Sequence, residues 1–551
     1  MLFVAASFLF ACLFCFPWLI RDFVGLEHDT LFHLSRIDAL SNALFHGDLV
    51  PRIYPYENNG YGNASPMFYC DFFLAPAAIL CHFGLPLSSS YVLTVLLFTW
   101  LGNYFMLSLC HRVSKNILCS VLVTAAFCFA NYHITDVFVR SALGEFMAIS
   151  FLPVILEGLY VLFIEKDTSG WIPLWIGLTG LIMTHNLTFL LMSAVIAVFF
   201  MIYFIKAPFP VLLSFLSAVF LSFLCTSWYT IPMIEQLFSQ KFVLSSWTEN
   251  DIILGLFAVS PQQYFMNSTV FGYGSNNIPL NEQMRLNIGF FLALTPLLYF
   301  FVKKKNSFVT ACMILGYICL ILPISLVPWN SLTFLRIIQF PWRLFALAMP
   351  LLAVPSVYSF ANLVPTKKGF LTAALILVCA ESIYHLVPVL SRDYGITSKN
   401  SYADLLSGEI VDPYYANAPF VRVQLASGEY LPEDHSDFRL LPPAIRDTDG
   451  NNTGIIYERD YNKITFTVTK KPADSWLVMP LTWYKGYSAT MGIRETFTSS
   501  TDNKFVAVYC TSPGIYTVFY EGTVIQKFSL FTSLVGFLIV GETMIRKRIK
   551  K

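Results

Sequence analysis

The residues best equipped for chemistry lie together near the start of the chain, in "LEHDTLFHLSRIDALSNALFHGDLVPRIYP" (26–55). Carboxylates, three histidines and two arginines follow directly on the first apolar segment. Such groups move protons and hold anions. From about Asp29 to Phe45 the pattern predicts a helix that stops at Gly47. On it Asp29, His33 and Arg36 fall at i, i+4 and i+7, hence on one face. "GDLVPRIYP" then reads as extended chain held by Pro51 and Pro55, and "NNGYGNASP" (58–66) as a turn-rich loop. By spacing alone, a solvated helix beside a membrane is the competing reading.

The elements that must position these residues are set by composition. Of 551 residues 56% are hydrophobic and 13% charged, and mean hydropathy is +0.61. Soluble domains carry about 25% charged residues, so the chain reads as a polytopic α-helical membrane protein. Net charge is +1 and names no partner; no basic patch for nucleic acid stands away from the membrane edges. Most of the 12 cysteines sit in apolar runs, without a CxxC zinc pattern, and read as small hydrophobes. "LFAC" (9–12) loosely resembles a lipoprotein cleavage box but has no basic residue before it, so 3–20 reads as an uncleaved signal anchor.

About 12 spans are predicted, near 3–20, 91–110, 117–131, 145–164, 171–184, 186–205, 211–230, 287–302, 308–327, 342–362, 370–389 and 529–545. Under this count "HRVSK" (111–115), Lys166, Lys206, "KKK" (303–305), "KK" (367–368) and "RKRIKK" (546–551) share one side, which places both termini in the cytoplasm. The segment 72–84 is short and contains Pro76, and reads as interfacial or re-entrant. The outer face then receives loops 21–90, 132–144, 231–286, 328–341 and 390–528. "KITFTVTK" (463–470), "SWLVMP" (475–480), "FVAVYC" (505–510) and "GIYTVFY" (514–520) read as strands of a β-rich extracytoplasmic module. Residues 390–455 read as irregular. The expected domains are 1–389, transmembrane with its outer loops; 390–528, β-rich; and 529–551, last helix and basic tail.

"DTLFHLSRIDALSNALFHGDLVPRIYPYENNGYGNASPMFY" resembles a bacterial family of the GT-C glycosyltransferase superfamily, the YfhO-like proteins and the membrane proteins labelled "6-pyruvoyl-tetrahydropterin synthase related". "DVFVRSALGEFMA" (136–148) is similar to that family's second outer-loop motif, and "IIQFPWRLFALA" (337–348) to its aromatic-arginine motif. "MPLTWYKGYSATM" (479–491) is similar to its "GW"-like segment, with Tyr487 where Trp is usual. No pterin chemistry is visible in the residues.

The resemblance implies an inverting transferase. It would move a monosaccharide from a polyprenyl-phosphate (undecaprenyl-phosphate) donor to a cell-surface polymer such as a teichoic acid or wall polysaccharide. A flippase and a lipid-sugar synthase are the partners implied, within the bilayer. An acceptor hydroxyl needs a base, and the family's first-loop acid aligns with Asp29. Glu27 and Asp48 are its rivals, and Asp48 could instead cap a turn. His33 could orient the acid or touch the acceptor, or be an ordinary interfacial histidine. Arginine offers phosphate a forked, permanent charge; the candidates are Arg52, Arg140, Arg336 and Arg343, with Arg285 in a similar position. For Arg140 with Glu145 the alternative is a snorkelling pair, and for Arg343 with Trp342 a headgroup anchor. Arg36, Tyr61, Tyr69, Asp136 and His185 complete the substrate-binding candidates; His185 is equally a turn residue in "THN". Asp29, Asp136 and Glu145 could ligate a divalent cation, but the first loop has no DxD cluster, so no obligatory metal is expected. Trp476, Trp483, Tyr484 and Tyr487 could bind glycan or form a plain aromatic core. A transporter or flippase would predict charges in mid-span, of which Glu157 and Glu381 are examples; a glycan-binding scaffold would predict that Asp29 is dispensable.

Overall fold

The computed structural model describes residues 2–246, 253–266, 268–364, 367–393, 395–399, 428–433 and 442–549. Most of the irregular stretch expected over 390–455 lies outside them. Each of the 12 expected spans coincides with helix. Seven helices are long and apolar enough to cross a membrane, and eight if Ile117–Cys128 and Asn131–Phe138 count as one span bent by 41°. The other expected spans, at Leu2–Phe14, Thr168–Ile182, Phe290–Phe301 and Ser307–Ile321, are shorter apolar helices. The 72–84 segment forms the short helical run Phe72–His82.

The chain forms two compact units. The first comprises 1–31, 88–223 and 252–399, the second 32–87, 224–251 and 400–551. This division departs from the boundaries expected at 389 and 528, because the small sheets need apolar partners from elsewhere in the sequence. Ile53, Ala64, Met67, Phe68 and Phe242 share one core with the strand residues Ile464, Phe466, Leu477, Val508 and Val518.

In the first unit the helix Leu143–Phe163 is buried along its whole length. Two glycines let Thr168–Ile182 lie against it. A Cβ on Gly158 would fall 2.6 Å from the backbone nitrogen of Leu174, and one on Gly180 would fall 2.3 Å from the Phe151 ring. The expected loop 132–144 is a correction: Asn131–Phe138 is helical and wholly buried. Its polar residues suggested water, but their partners lie inside the protein.

The helix Thr30–Phe45, whose residues from Phe32 on belong to the second unit, ends as the sequence indicates. Gly47 takes a left-handed φ of 77°, and the Asp48 N–H reaches back to the Ala43 carbonyl at 3.0 Å, a helix stop that favours glycine. Strands Tyr457–Asp460, Lys463–Val468, Gly514–Tyr520, Tyr487–Met491 and Arg494–Thr496 form one antiparallel sheet in that order. Trp476–Thr482, Phe505–Tyr509 and Thr498–Ser500 form another. The four expected strands are present, and the buried Tyr484 and Tyr487 belong to the module's core.

Candidate functional site

Asp29 belongs to the first unit and stands one residue before the helix Thr30–Phe45. The approach is fixed by Thr30, whose hydroxyl accepts from the Glu27 N–H at 2.9 Å and donates to Ser141 at 2.8 Å. The Asp29 N–H donates to the Arg140 carbonyl at 3.0 Å. The side chain is half-buried, and among the described residues its carboxylate takes no hydrogen bond or ion pair. Desolvation raises its pKa above the ordinary carboxylate value; the nearby charges of Arg140 and Arg343 oppose that rise.

Around it is a buried network. Arg140 pairs with Asp136 and, at 3.1 Å, with Glu145. Arg343 reaches the same Glu145 oxygen at 3.2 Å and donates to Gln339 Oε1 at 2.5 Å. The Tyr132 hydroxyl donates to Glu145 at 2.6 Å. Glu145 is therefore shared between both arginines, and neither guanidinium is saturated. Among the described residues Nη2 of Arg140 and Nη2 of Arg343 have no partner. Arg140 is 5% exposed and Arg343 8%, so neither snorkels to a headgroup, and Trp342 is buried as well. His185 stands just before the helix Asn186–Tyr203, with Nδ1 2.7 Å from the Thr188 hydroxyl. Burial, with Arg343 beside it, lowers its pKa to about 3, so it is neutral at physiological pH. The His28 ring lies 5.2 Å from that of Tyr273, tilted by 50°.

The other candidates are placed differently. Glu27, the rival base, is tied to Arg392 at 2.7 Å. His33 and Arg36 do meet, at 3.1 Å, but both belong to the second unit. There Arg36 is 1% exposed. Its guanidinium pairs with Asp71, donates to the Cys70 carbonyl at 3.1 Å and lies 4.1 Å over the Tyr69 ring. Tyr54 donates to the other Asp71 oxygen at 2.5 Å. This is a closed structural knot; Arg36 and Tyr69 are spent within it. Tyr61 is buried. Asp48 and Arg52 line a separate cleft of the second unit. Arg336 lies half-buried on the short turn Thr333–Ile338, and Arg285 donates to the carbonyls of Leu280 and Gln283.

Sequence reasoning missed Tyr132, Gln339, Tyr54 and Asp71. Asp71 carried a signal: a carboxylate inside the apolar run "FYCDFFLAP" requires a buried partner. A divalent cation fits the first unit's donors poorly. Asp136 and Glu145 are held by guanidiniums, and among the described residues no three His, Cys, Asp or Glu side chains gather with ligand spacing.

Helices, burial and sheets together define a polytopic α-helical membrane protein with a C-terminal β-rich module. The chain matches no protein-family model and no curated protein. Among solved structures it is similar to the arabinofuranosyltransferase AftD from mycobacteria, at TM-score 0.49 and 11% identity over 94% of this chain. It spans 40% of that neighbour's length.

Proposed function

We propose that the first unit is the catalytic part of a GT-C-type membrane glycosyltransferase. It moves a monosaccharide, with inversion, from a polyprenyl-phosphate donor to a hydroxyl of a cell-surface polymer. The observation that carries this reading is the half-buried, unpaired carboxylate of Asp29 beside two buried arginines, each with an uncommitted guanidinium nitrogen. The four family-like motifs, present in the expected order, support it from the sequence side.

The step needs little else. Asp29 takes the proton of the acceptor hydroxyl, whose oxygen forms a bond to the anomeric carbon. The bond from that carbon to the phosphate oxygen breaks, and the electron pair leaves with the lipid phosphate. The free nitrogens of Arg140 and Arg343 meet the charge that grows there. Glu145 and Asp136 hold both arginines in place without consuming every donor. Purified full-length protein in liposomes, given a panel of synthetic polyprenyl-phosphate sugars and a surface-polymer acceptor, should transfer at least one sugar. Absence of transfer across the panel, with the protein folded, would count against the reading.

A further inference from the structure

The second unit contains a cleft of about 440 Å³ that the transferase reading does not use. Three separate segments build it: the chain after the first-loop helix, the turn between the first two sheet strands, and the first turn of the last span. His46, Asp48, Arg52, Tyr461, Lys463 and Lys527 carry its chemistry.

Its rim includes the start of a membrane-capable helix. Lys527 and Leu530 line it from the helix Val524–Ile549, which is long and apolar enough to span. On that same helical turn Val524 is 82% exposed and Phe528 63%, and Leu49 beside the cleft is 78% exposed. Apolar side chains left bare at the start of a span are those that acyl chains cover.

Its charge is balanced. Arg52, Lys463 and Lys527 line it together with Asp48, Asp460 and Glu521. A multiply anionic headgroup would meet as many acids as bases, whereas a headgroup with one phosphate and one ammonium satisfies both signs. The lining offers partners for both parts of such a group. Arg52 is held by one nitrogen on the Trp228 carbonyl at 2.8 Å, and among the described residues its other nitrogens have no partner, which suits phosphate. Lys463 also lines the cleft, likewise without a partner among the described residues. Lys527 is already paired with Glu521 at 2.7 Å. Asp48, near enough to Arg52 to feel its charge, accepts from the Tyr461 hydroxyl at 3.2 Å and from the Val50 N–H at 3.3 Å, and retains acceptor capacity for an N–H donor. The His46 ring stacks on Tyr461 at 4.7 Å and 10°, which offers an ammonium an aromatic face.

We propose that this cleft binds the headgroup of a zwitterionic phospholipid with a primary ammonium, its phosphate on Arg52 and Lys463 and its ammonium on Asp48 and the His46–Tyr461 stack. The assignment goes beyond the transferase reading and does not depend on it.

The test is native mass spectrometry of the full-length chain, titrated with phosphatidylethanolamine, phosphatidylglycerol or free phosphoethanolamine. Phosphatidylethanolamine should be retained at least about tenfold more tightly than phosphatidylglycerol. Asp48→Asn should abolish that preference, and Arg52→Gln should weaken retention of both lipids several-fold. Lys463→Glu, at an exposed position, should weaken retention several-fold while the fold is kept; it carries the test if Arg52→Gln fails to fold. Equal retention of the two lipids by the parent chain, or retention of phosphatidylethanolamine unchanged in Lys463→Glu, would overturn the proposal. Binding of free phosphoethanolamine as tight as that of the lipid would make this a soluble-ligand site and overturn the lipid assignment.

Discussion

The candidate base shows how one residue's surroundings can be tested. A base works deprotonated, so activity should rise with pH through the Asp29 pKa and be lost as pH falls below it. Desolvation raises that pKa while Arg140 and Arg343 hold it down. Arg343→Ala should therefore move the acid limb of kcat/KM to higher pH and weaken donor saturation. A lower value with an unmoved acid limb would leave Arg343 only a donor contact. The Arg36–Asp71 knot belongs to stability. Leaving one buried partner uncompensated costs about 3–5 kcal/mol, so Asp71→Asn should lower the unfolding midpoint of the purified protein markedly. Some of this was legible in the sequence: Asp29, Arg140, Glu145 and Arg343 were singled out from types and motifs. What could not be read was pairing. Residue type alone does not show that Glu27 is tied to the distant Arg392, while the Asp29 carboxylate takes no hydrogen bond or ion pair among the described residues. Nor does the shared face of Asp29 and Arg36 show that Arg36 is consumed by an aspartate 35 residues away.

Elements were most legible where apolar runs were long. The expected spans all fall on helix, and the strands at Lys463–Val468 and Gly514–Tyr520 follow the predicted positions closely. The helix Asn131–Phe138 was not legible, because Tyr132, Asp136 and Arg140 find partners inside the protein where hydropathy implies water. Close helix contact depends on glycine. Gly158→Ala would drive a methyl against the Leu174 backbone, and overpacking of this kind costs about 1–3 kcal/mol. A correspondingly lower unfolding midpoint is expected, and no change would show that the two helices can part freely. The second unit carries a pH effect of its own. Burial raises Asp38 to about 6 and Glu57 to about 7, Glu57 with a small added push from Asp38. Both folded-state values lie above the unfolded ones, so the folded state gains protons first. Stability should therefore grow as pH falls from about 8 toward 5. Glu57→Gln should flatten that dependence in pH-resolved thermal unfolding; an unaltered slope would contradict it.

At the scale of the whole molecule, the two units were hidden from the sequence because each is assembled from three separated segments. The loop residues Ile53, Met67 and Phe68 complete the β module's core, which a linear division at 389 cannot anticipate. The charges weighed for a transporter have local roles: Glu157 pairs with Arg112 at 2.8 Å, and Glu381 lies 3.8 Å from His385. Orientation is proposed from the basic clusters. In intact cells an impermeant thiol reagent should label Glu495→Cys, on an exposed strand residue, and spare Lys304→Cys; the reverse pattern would invert the topology and put the proposed site on the wrong face. The central claim is sugar transfer by a base at position 29. Its most direct test compares Asp29→Asn with Glu27→Gln and the parent chain, in transfer from a polyprenyl-phosphate sugar at saturating donor. If Asp29 takes the acceptor proton, Asp29→Asn should lose about 10²–10⁴-fold in turnover with donor binding retained, while Glu27→Gln loses far less. Near-parental turnover by a folded Asp29→Asn protein would contradict the account.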